Sequence, residues 1–192
     1  MELIREQGTQ AVSFRRIAAK LGRSYTTPYR VFESKEEIFI ALRARAFARF
    51  GDALRDAIRG SDDPTERLRA MVAGYVRAAL ADSQSYRLML DLNQGHSHSN
   101  DENDESAVRG ELRAQKERAL GYCRRVVADA VSSGELPAAT DPNTAAHVFW
   151  ASAHGLVSLA LADQLVMGRS LEELIEPIAT TLLAGMAATP IS

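Results

Sequence analysis

Side chains that suit a nucleic acid cluster in one short stretch of the sequence. They belong to Ser24, Tyr25, Thr26, Thr27, Tyr29 and Arg30. Hydroxyl and guanidinium groups bond well to phosphate oxygens and to the edges of DNA bases. A helix buried in an ordinary bundle carries an apolar stripe, and residues 25–30 have none. The stretch therefore predicts an exposed surface that contacts a nucleic acid.

The distribution of charge agrees with this prediction. The first 50 residues contain ten Lys and Arg against five Asp and Glu, a net charge of +5, whereas the whole chain of 192 residues carries −2. The remaining residues therefore carry −7. A basic head on an acidic body favours a polyanion as the partner of the head alone. Ordinary surface charge is the alternative, and charge by itself does not decide between them.

A second group of side chains suits a small molecule. Trp150 and His154 are four residues apart, so they share a helix face, and an aromatic plate beside a polar group is typical of a pocket wall. The alternative, which we favour for this pair, is a core tryptophan packed on a structural histidine. An apolar cavity for an unidentified, largely apolar effector would be completed by Met71, Tyr75, Met89, Tyr122 and Phe149. Methionine and aromatic residues also fill ordinary cores, and the two interpretations are about equal here.

The sequence lacks the patterns of common catalytic sites. It contains no helical His-Glu-x-x-His, Gly-x-Ser-x-Gly, Walker or Gly-x-Gly-x-x-Gly motif. Cys123 lies on an apolar stripe and is expected to be buried. His96 and His98 stand beside acidic residues in the polar segment 93–106, and such a pair can hold a metal, although acidic loops are usually only solvated. We predict no catalytic residue, no metal and no cofactor; a helical-bundle enzyme and a protein-binding adaptor remain the alternatives.

The elements that must position these residues are helices nearly throughout, and we predict an all-α fold of about nine helices. Ser13 caps a helix that ends at Gly22, and a third helix follows from Tyr25 to Phe32. Ser34, with Glu37 three residues later, forms a capping box for a fourth helix that runs towards Gly60. The eighth predicted helix runs from Pro142 to about Met167, and the ninth covers residues 171–186. Two short helices joined by the turn at residues 22–24 indicate a helix-turn-helix, which places its second helix in the major groove.

The same stretch resembles the DNA-binding domain of the TetR family of bacterial transcriptional regulators. The residues that carry the resemblance are the run Ser13-Phe14-Arg15-Arg16-Ile17-Ala18, then Leu21-Gly22, Ser24, Thr27, Tyr29, Phe32 and Ser34-Lys35-Glu36-Glu37. The resemblance implies a DNA-binding domain over residues 1–43 and a ligand-binding, dimerising domain over residues 44–192. It implies phosphate contacts for Ser13, Tyr29 and Lys35. It implies groove contacts for Tyr25, Thr26, Thr27 and Arg30.

A shorter resemblance concerns the run around Trp150. Trp150, followed four residues later by His154-Gly155-Leu156, is similar to a TetR subgroup named for a Trp-His-Gly signature in its C-terminal domain. This resemblance implies the shape of the body and not the identity of a ligand.

The last two predicted helices are apolar on more than one face, so one chain cannot cover them and we expect a homodimer. The interface residues would be Ala153, Val157, Leu161, Leu174, Ile178 and Leu182. The N-terminus lacks the order of a signal peptide, and polar residues interrupt the apolar stretch 143–162, so we expect a cytoplasmic chain without a membrane span. Together these features predict a dimeric DNA-binding regulator, a repressor released from a palindromic operator by a small effector. Double-stranded DNA, a second copy of the chain and the effector are the expected partners.

Overall fold

The computed structural model describes residues 13–24, 26–27, 30–90 and 106–188, without the side chain of Phe14. These residues contain seven α-helices and no strand, which confirms the all-α prediction. The helices are α1 (Phe14–Lys20), α2 (Lys35–Ala57), α3 (Pro64–Ala81), α4 (Ser83–Leu90), α5 (Ala107–Ser132), α6 (Pro142–Leu161) and α7 (Leu171–Ala188). A 3-10 turn over Ile58–Gly60 follows α2. A short helix that the apolar residues Leu3 and Ile4 predict before Gly8 lies outside the described residues.

Aspartate caps begin α3 and α6, as the Asp-Pro pairs of the sequence suggest. Asp63 accepts hydrogen bonds from the backbone N–H groups of Thr65 and Glu66, and Pro64 takes the first helical position. Asp141 accepts from the N–H of Thr144 at 2.8 Å. Hydrogen bonds to the threonine hydroxyl and N–H favour the charged carboxylate, so the pKa values of both aspartates lie below their usual range.

The end of α6 differs from the prediction. The helix stops at Leu161 instead of near Met167, because Asp163 adopts a left-handed backbone with φ of 56°. The Asp163 N–H donates to Ala160 O at 3.1 Å, and the Gln164 N–H donates to Leu159 O at 2.8 Å. These bonds satisfy the last carbonyls of the helix in a Schellman arrangement. The apolar pattern of the sequence continues through Met167, but that side chain is 93% exposed.

The chain divides into two compact units. The first unit comprises Met1–Phe47 and Gln84–Lys116. Its core contains Ile38, Phe39 and Leu88, and the partly buried residues packed on them are Ile17, Phe32 and Leu42. An ion pair of 2.8 Å between Arg109 and Glu36 joins α5 to α2 inside this unit.

The second unit comprises Ala48–Ser83 and Glu117–Ser192. Here α3, α6 and α7 pack against one another around fully buried residues such as Leu68, Phe149 and Val157. Arg69 on α3 contacts Glu176 and Thr180 on α7. The units are discontinuous in sequence, whereas the sequence-based domains meet at residue 43; that functional boundary stays a prediction.

One described helix, α6, is long and apolar enough to cross a membrane by length and composition. In the structure one face of α6 packs in the core of the second unit, where Ala145, Phe149, Ala153 and Val157 are buried, and a third of its apolar window is buried in all. A core helix meets the same compositional criterion as a membrane span.

Candidate functional site

The predicted DNA-contacting residues that the structure describes lie at helix starts and turns of the first unit. Ser13 caps α1, where its Oγ accepts from the N–H of Arg16 at 3.3 Å. Gly22 follows α1 with φ of +59°, a conformation that glycine adopts without strain. The predicted turn after α1 therefore begins at a glycine in the left-handed conformation.

The segment after this turn differs from the predicted third helix. Its described residues form turns: the Thr27 N–H donates to Ser24 O at 2.9 Å, and the Arg30 N–H donates to Thr27 O at 3.2 Å. Both bonds span three residues, which is the spacing of a 3-10 turn and not of an α-helix. Pro28 has no N–H to donate, which weakens an α-helix in this short stretch. Tyr25 and Tyr29, two of the predicted contacts, lie outside the described residues.

The remaining polar side chains of this stretch are accessible. Ser24, Thr26, Arg30 and Lys35 are exposed, and Thr27 is half-buried. The Ser24 hydroxyl lies 3.0 Å from the Thr26 hydroxyl, so the two share a hydrogen bond. The structure thus leaves a guanidinium, an ammonium and several hydroxyl groups on the surface of the first unit.

The start of α2 confirms the predicted capping box with one change. Ser34 Oγ accepts from the Glu37 N–H at 3.1 Å, and the Glu37 carboxylate accepts from the Glu33 N–H at 2.7 Å, one residue earlier than the usual partner. The Lys35 ammonium lies 5.6 Å from the centre of the Phe39 ring, which belongs to the core of the unit. The Lys35 ammonium thus lies over a ring of the core, and the residue as a whole remains exposed.

The second unit contains an apolar cavity of about 350 Å³. Its floor is formed by buried side chains from four helices, namely Leu54, Met71, Val72, Tyr75, Ala119, Cys123, Ala146, Phe149 and Ala153. A site of this size with an apolar lining suits a small molecule.

The edge of the cavity is polar and more exposed, and we call it the rim. The rim consists of two rows with the spacing of one helix face: Glu117, Gly121 and Arg124 on α5, and Asn143, His147 and Trp150 on α6. Glu117, Arg124, Asn143 and His147 are exposed, and Gly121 and Trp150 are half-buried. The cavity therefore offers an apolar interior below a polar edge.

Four of the seven predicted pocket residues line this cavity: Met71, Tyr75, Phe149 and Trp150. The other three do not. Met89 is a buried residue of α4 in the first unit, and Tyr122 lies under the Arg125 guanidinium at 4.6 Å from the ring centre. His154 lies one turn beyond the cavity, where its Nε2 is 3.3 Å from Ser158 Oγ. Burial lowers the pKa of His154, which favours a neutral, structural ring.

Tyr75 joins the cavity to two neighbouring helices. Its hydroxyl accepts a hydrogen bond from Trp150 Nε1 at 3.2 Å. Its ring meets Phe50 of α2 edge-on, with 4.8 Å between the ring centres. A molecule that displaced Tyr75 would therefore act on both α6 and α2.

Most of the other lining residues escaped the sequence-based interpretation, Leu54 and Cys123 among them. Each belongs to an apolar helix face, and such a face gives no sign of whether its residues line a cavity or a filled core. Burial raises the pKa of the Cys123 thiol to about 12, so the thiol stays neutral and is a poor nucleophile.

The predicted dimer residues fall into two groups. Leu161, Leu174, Ile178 and Leu182 are partly accessible on the single chain. Ala153 and Val157 are only 2% and 0% exposed, because they pack inside the second unit. Their assignment to a dimer interface is therefore corrected: both are core residues of one chain.

The predicted alternative of a metal at His96 and His98 lies outside the described residues. Among the residues that the structure does describe, no group of three His, Cys, Asp or Glu side chains could hold a metal ion.

Two families of known proteins match the N-terminal and the C-terminal part of the chain. Residues 1–42 match the family described as "Bacterial regulatory proteins, tetR family". Residues 68–182, more than half of the chain, match "Tetracyclin repressor-like, C-terminal domain". That C-terminal family is different from the Trp-His-Gly subgroup, so the narrower resemblance is not confirmed.

Individual relatives agree with these matches. The chain is 32% identical over 90 residues to "HTH-type transcriptional activator FasR" from Mycolicibacterium smegmatis, a match that spans 47% of this chain and 41% of that protein. A protein of unknown function from Rhodococcus sp. RHA1 has the same fold, with a TM-score of 0.79 and 23% identity over 97% of this chain and 90% of that one. AibR, solved in complex with isovaleryl coenzyme A and operator DNA, gives a TM-score of 0.60 and 19% identity over 99% and 94% of the two chains.

Proposed function

Because the chain belongs to the TetR family of bacterial regulatory proteins, we propose that it is a homodimeric repressor that a small, largely apolar effector releases from a palindromic operator. The observation that carries the proposal is the apolar cavity of the second unit. A ligand-controlled regulator needs a binding site that is separate from its DNA-contacting surface. All residues that line this cavity except Leu54 lie in the C-terminal family match, while most of the basic head lies in the N-terminal one. AibR, which shares the fold, was solved in complex with isovaleryl coenzyme A and operator DNA.

DNA binding by the head is supported by its charge and its accessible side chains. Ser13, Ser24, Thr26, Thr27, Arg30 and Lys35 supply hydroxyl groups and cations at one end of the sequence, and Tyr25 and Tyr29 belong to the same predicted set. Arg30 offers a planar fork that suits a guanine edge, whereas Lys35 offers a point charge that suits a phosphate.

Dimerisation through α7 is supported by the pattern of that helix. Leu174, Ile178 and Leu182 recur every four residues, so they lie on one face, and each is only half-buried in the single chain. Leu159 on α6 is 48% exposed and adds apolar surface. A second copy of the chain would cover these side chains.

Control by an effector is supported by the contacts of α2. Leu54 lines the cavity and Phe50 packs on Tyr75, which also lines it. Both residues lie on the helix that begins at the Ser34 cap. An effector that binds more tightly to one position of α2 would shift the population towards that position and change DNA affinity.

The proposal is tested by measuring the affinity of the full chain for DNA at several salt concentrations. A random-sequence pool first yields the preferred site, which is then compared with a scrambled duplex by fluorescence anisotropy. We expect specific binding to a pseudo-palindrome and a steep fall in affinity with salt, because each neutralised phosphate releases counterions. Absence of DNA binding at low salt would overturn the proposal in favour of a bundle enzyme or an adaptor. A reporter gene behind the selected site tells repression from activation.

The dimer is tested by light scattering of the parent and of Ile178→Glu. A charge on the face of Leu174 and Leu182 should produce monomers and weaken operator binding, because an unpaired charge is costly to bury. Ala187→Glu adds the same charge on the opposite face of α7 and serves as the control. A parent chain that is monomeric at high concentration, or an Ile178→Glu variant that stays dimeric, would contradict this interface.

A further inference from the structure

We propose that the cavity takes an apolar molecule with one anionic group, and that Arg124 on the rim binds the anion. This inference rests on the proposed function, in which the same cavity receives the effector. It narrows the effector from a largely apolar molecule to an amphipathic acid.

The arrangement of the cavity orients such a molecule. The side chains below the rim are apolar and buried, as Met71, Val72 and Phe149 illustrate with exposures of 4%, 1% and 2%. The charged groups of the lining, Glu117 and Arg124, are both on the exposed rim. An apolar chain therefore gains by entering the interior, while a charged end stays at the edge, where water still reaches it.

Arg124 is the residue on this rim best suited to a ligand. Among the described residues it makes neither a hydrogen bond nor an ion pair, so its five N–H donors are available. A guanidinium forms two parallel bonds to a carboxylate or a phosphate, which fixes the orientation of the anion as well as its position.

The balance of charge near Gly121 favours an anion over a cation. Arg125 Nη1 lies 3.4 Å from the place that a Cβ on Gly121 would occupy, so a second guanidinium stands beside this rim residue. Glu117 is the one carboxylate of the lining, and it lies seven residues from Arg124, about 10 Å along the helix. Arg124 is thus two helical turns from the carboxylate of the lining, and a second guanidinium stands beside the same rim at Gly121.

The experiment compares decanoate with 1-decanol, which share a ten-carbon chain and differ in charge. Both are titrated into the full chain, and binding is followed by the fluorescence of Trp150, the single tryptophan of the sequence, which lies on the rim. A carboxylate costs more to remove from water than a hydroxyl, so a cavity without a cation would bind the alcohol more tightly. We expect the parent to bind decanoate more tightly by about tenfold or more, which is the lower end of the net contribution of one hydrogen bond to a charged group. In Arg124→Gln the order should reverse.

Two control variants keep the comparison specific. Arg77→Gln removes the same charge from an exposed position of α3 outside the cavity, and should keep the parent's preference for decanoate. Glu117→Gln removes the carboxylate of the rim, and should leave decanoate affinity unchanged or raise it. Thermal melting of each variant shows that it is folded. A third titration with decyl phosphate tells whether Arg124 prefers a phosphate or a carboxylate.

Decanoate that binds no more tightly than decanol in the parent, or a preference that survives Arg124→Gln, would overturn the inference. DNA binding is measured on the same preparations. If the chain binds DNA but binds decanoate and decanol equally, the proposed function stands and this inference fails. If the chain binds decanoate through Arg124 but does not bind DNA, this inference stands and the proposed function fails.

Discussion

The two units of this protein, the first with the basic head and the second with the cavity, hold their candidate residues in different ways. In the first unit, the candidate residues are held by hydrogen bonds to residues close in sequence. The Ser13 and Ser34 hydroxyls accept from the N–H groups of Arg16 and Glu37, and the Ser24 hydroxyl bonds to the Thr26 hydroxyl. In the second unit, the cavity combines Leu54, Met71, Cys123 and Phe149 from four helices that are far apart in sequence.

Because of this difference, DNA binding and stability should depend on different residues in the first unit, whereas ligand binding and stability should depend on the same residues in the second. The predicted DNA contacts of the head that the structure describes are exposed or only partly buried, so replacing Arg30 or Lys35 removes little packing. The cavity floor is also the core of the second unit, so replacing a floor residue changes the fold as well as the site. Substitutions at the DNA contacts of the first unit should therefore change binding alone, and substitutions in the cavity floor of the second unit should change stability as well.

Phe149→Ala should produce the largest loss of stability. Phe149 is 2% exposed, and its removal enlarges an existing cavity, so we expect a loss of about 3–5 kcal/mol in the free energy of unfolding. Urea unfolding followed by circular dichroism measures it. A loss of less than about 1 kcal/mol would show that the cavity floor is not part of the core and would break the comparison.

Gly74→Ala should destabilise the second unit through a close helix contact. A Cβ at this position would lie 2.5 Å from the Cβ of Ala57, so α3 and the end of α2 must separate, at a cost of about 1–3 kcal/mol.

Gly110→Ala is the matched control for this substitution. Gly110 also lies in a helix, and a Cβ there would meet none of the described residues within 4 Å, so the alanine variant should be more stable by about 0.5–1 kcal/mol. Chemical denaturation measures the free energy of unfolding of both variants. Equal changes in the two variants would contradict the close contact at Gly74.

Arg30→Ala should weaken DNA binding by about 1–3 kcal/mol and relax the preference for one base pair, with little change in the melting temperature. Lys35→Ala should weaken binding to all sequences evenly and reduce the slope of affinity against salt by about one. Anisotropy titrations and thermal melting of the same samples separate the two effects. A large fall in melting temperature for either variant would show that the head also couples binding to stability.

Asp141 should make the second unit sensitive to acid, with the smallest effect of the set. Its pKa is lowered in the folded chain from the ordinary 3.8, so the unfolded chain takes up a proton first, and stability is lost as the pH falls from about 4 through the lowered value. Asp141→Asn keeps an oxygen that caps α6 but does not titrate, so its melting temperature should depend less on pH, while Asp141→Ala should lose a few degrees even at neutral pH. Identical acid profiles for the parent and Asp141→Asn would exclude this cap as a source of the sensitivity.

Local signals explain what could be predicted. The Ser34–Glu37 box and the start of α6 at Pro142 were predicted because each needs only residues within one turn of a helix. The end of α6 was misplaced because Val166 and Met167 continue the apolar pattern of the sequence, although their side chains are 78% and 93% exposed. The turns at Thr27 and Arg30 replaced a predicted helix in a segment where Pro28 limits backbone hydrogen bonding.

The sequence by itself determined the all-α class, the basic head and the helix starts, since composition and capping chemistry act over a few residues. It named Met71, Tyr75, Phe149 and Trp150 as pocket residues, but it could not separate them from Met89, Tyr122 and His154, which share the same residue types and periodicity. Only the tertiary structure decided that Ala153 and Val157 fill the core, that Leu54 and Cys123 line the cavity, and that Arg124 lies on its rim. Periodicity shows which helix face is apolar, but it does not show which residues of other helices pack on that face or where they leave a space.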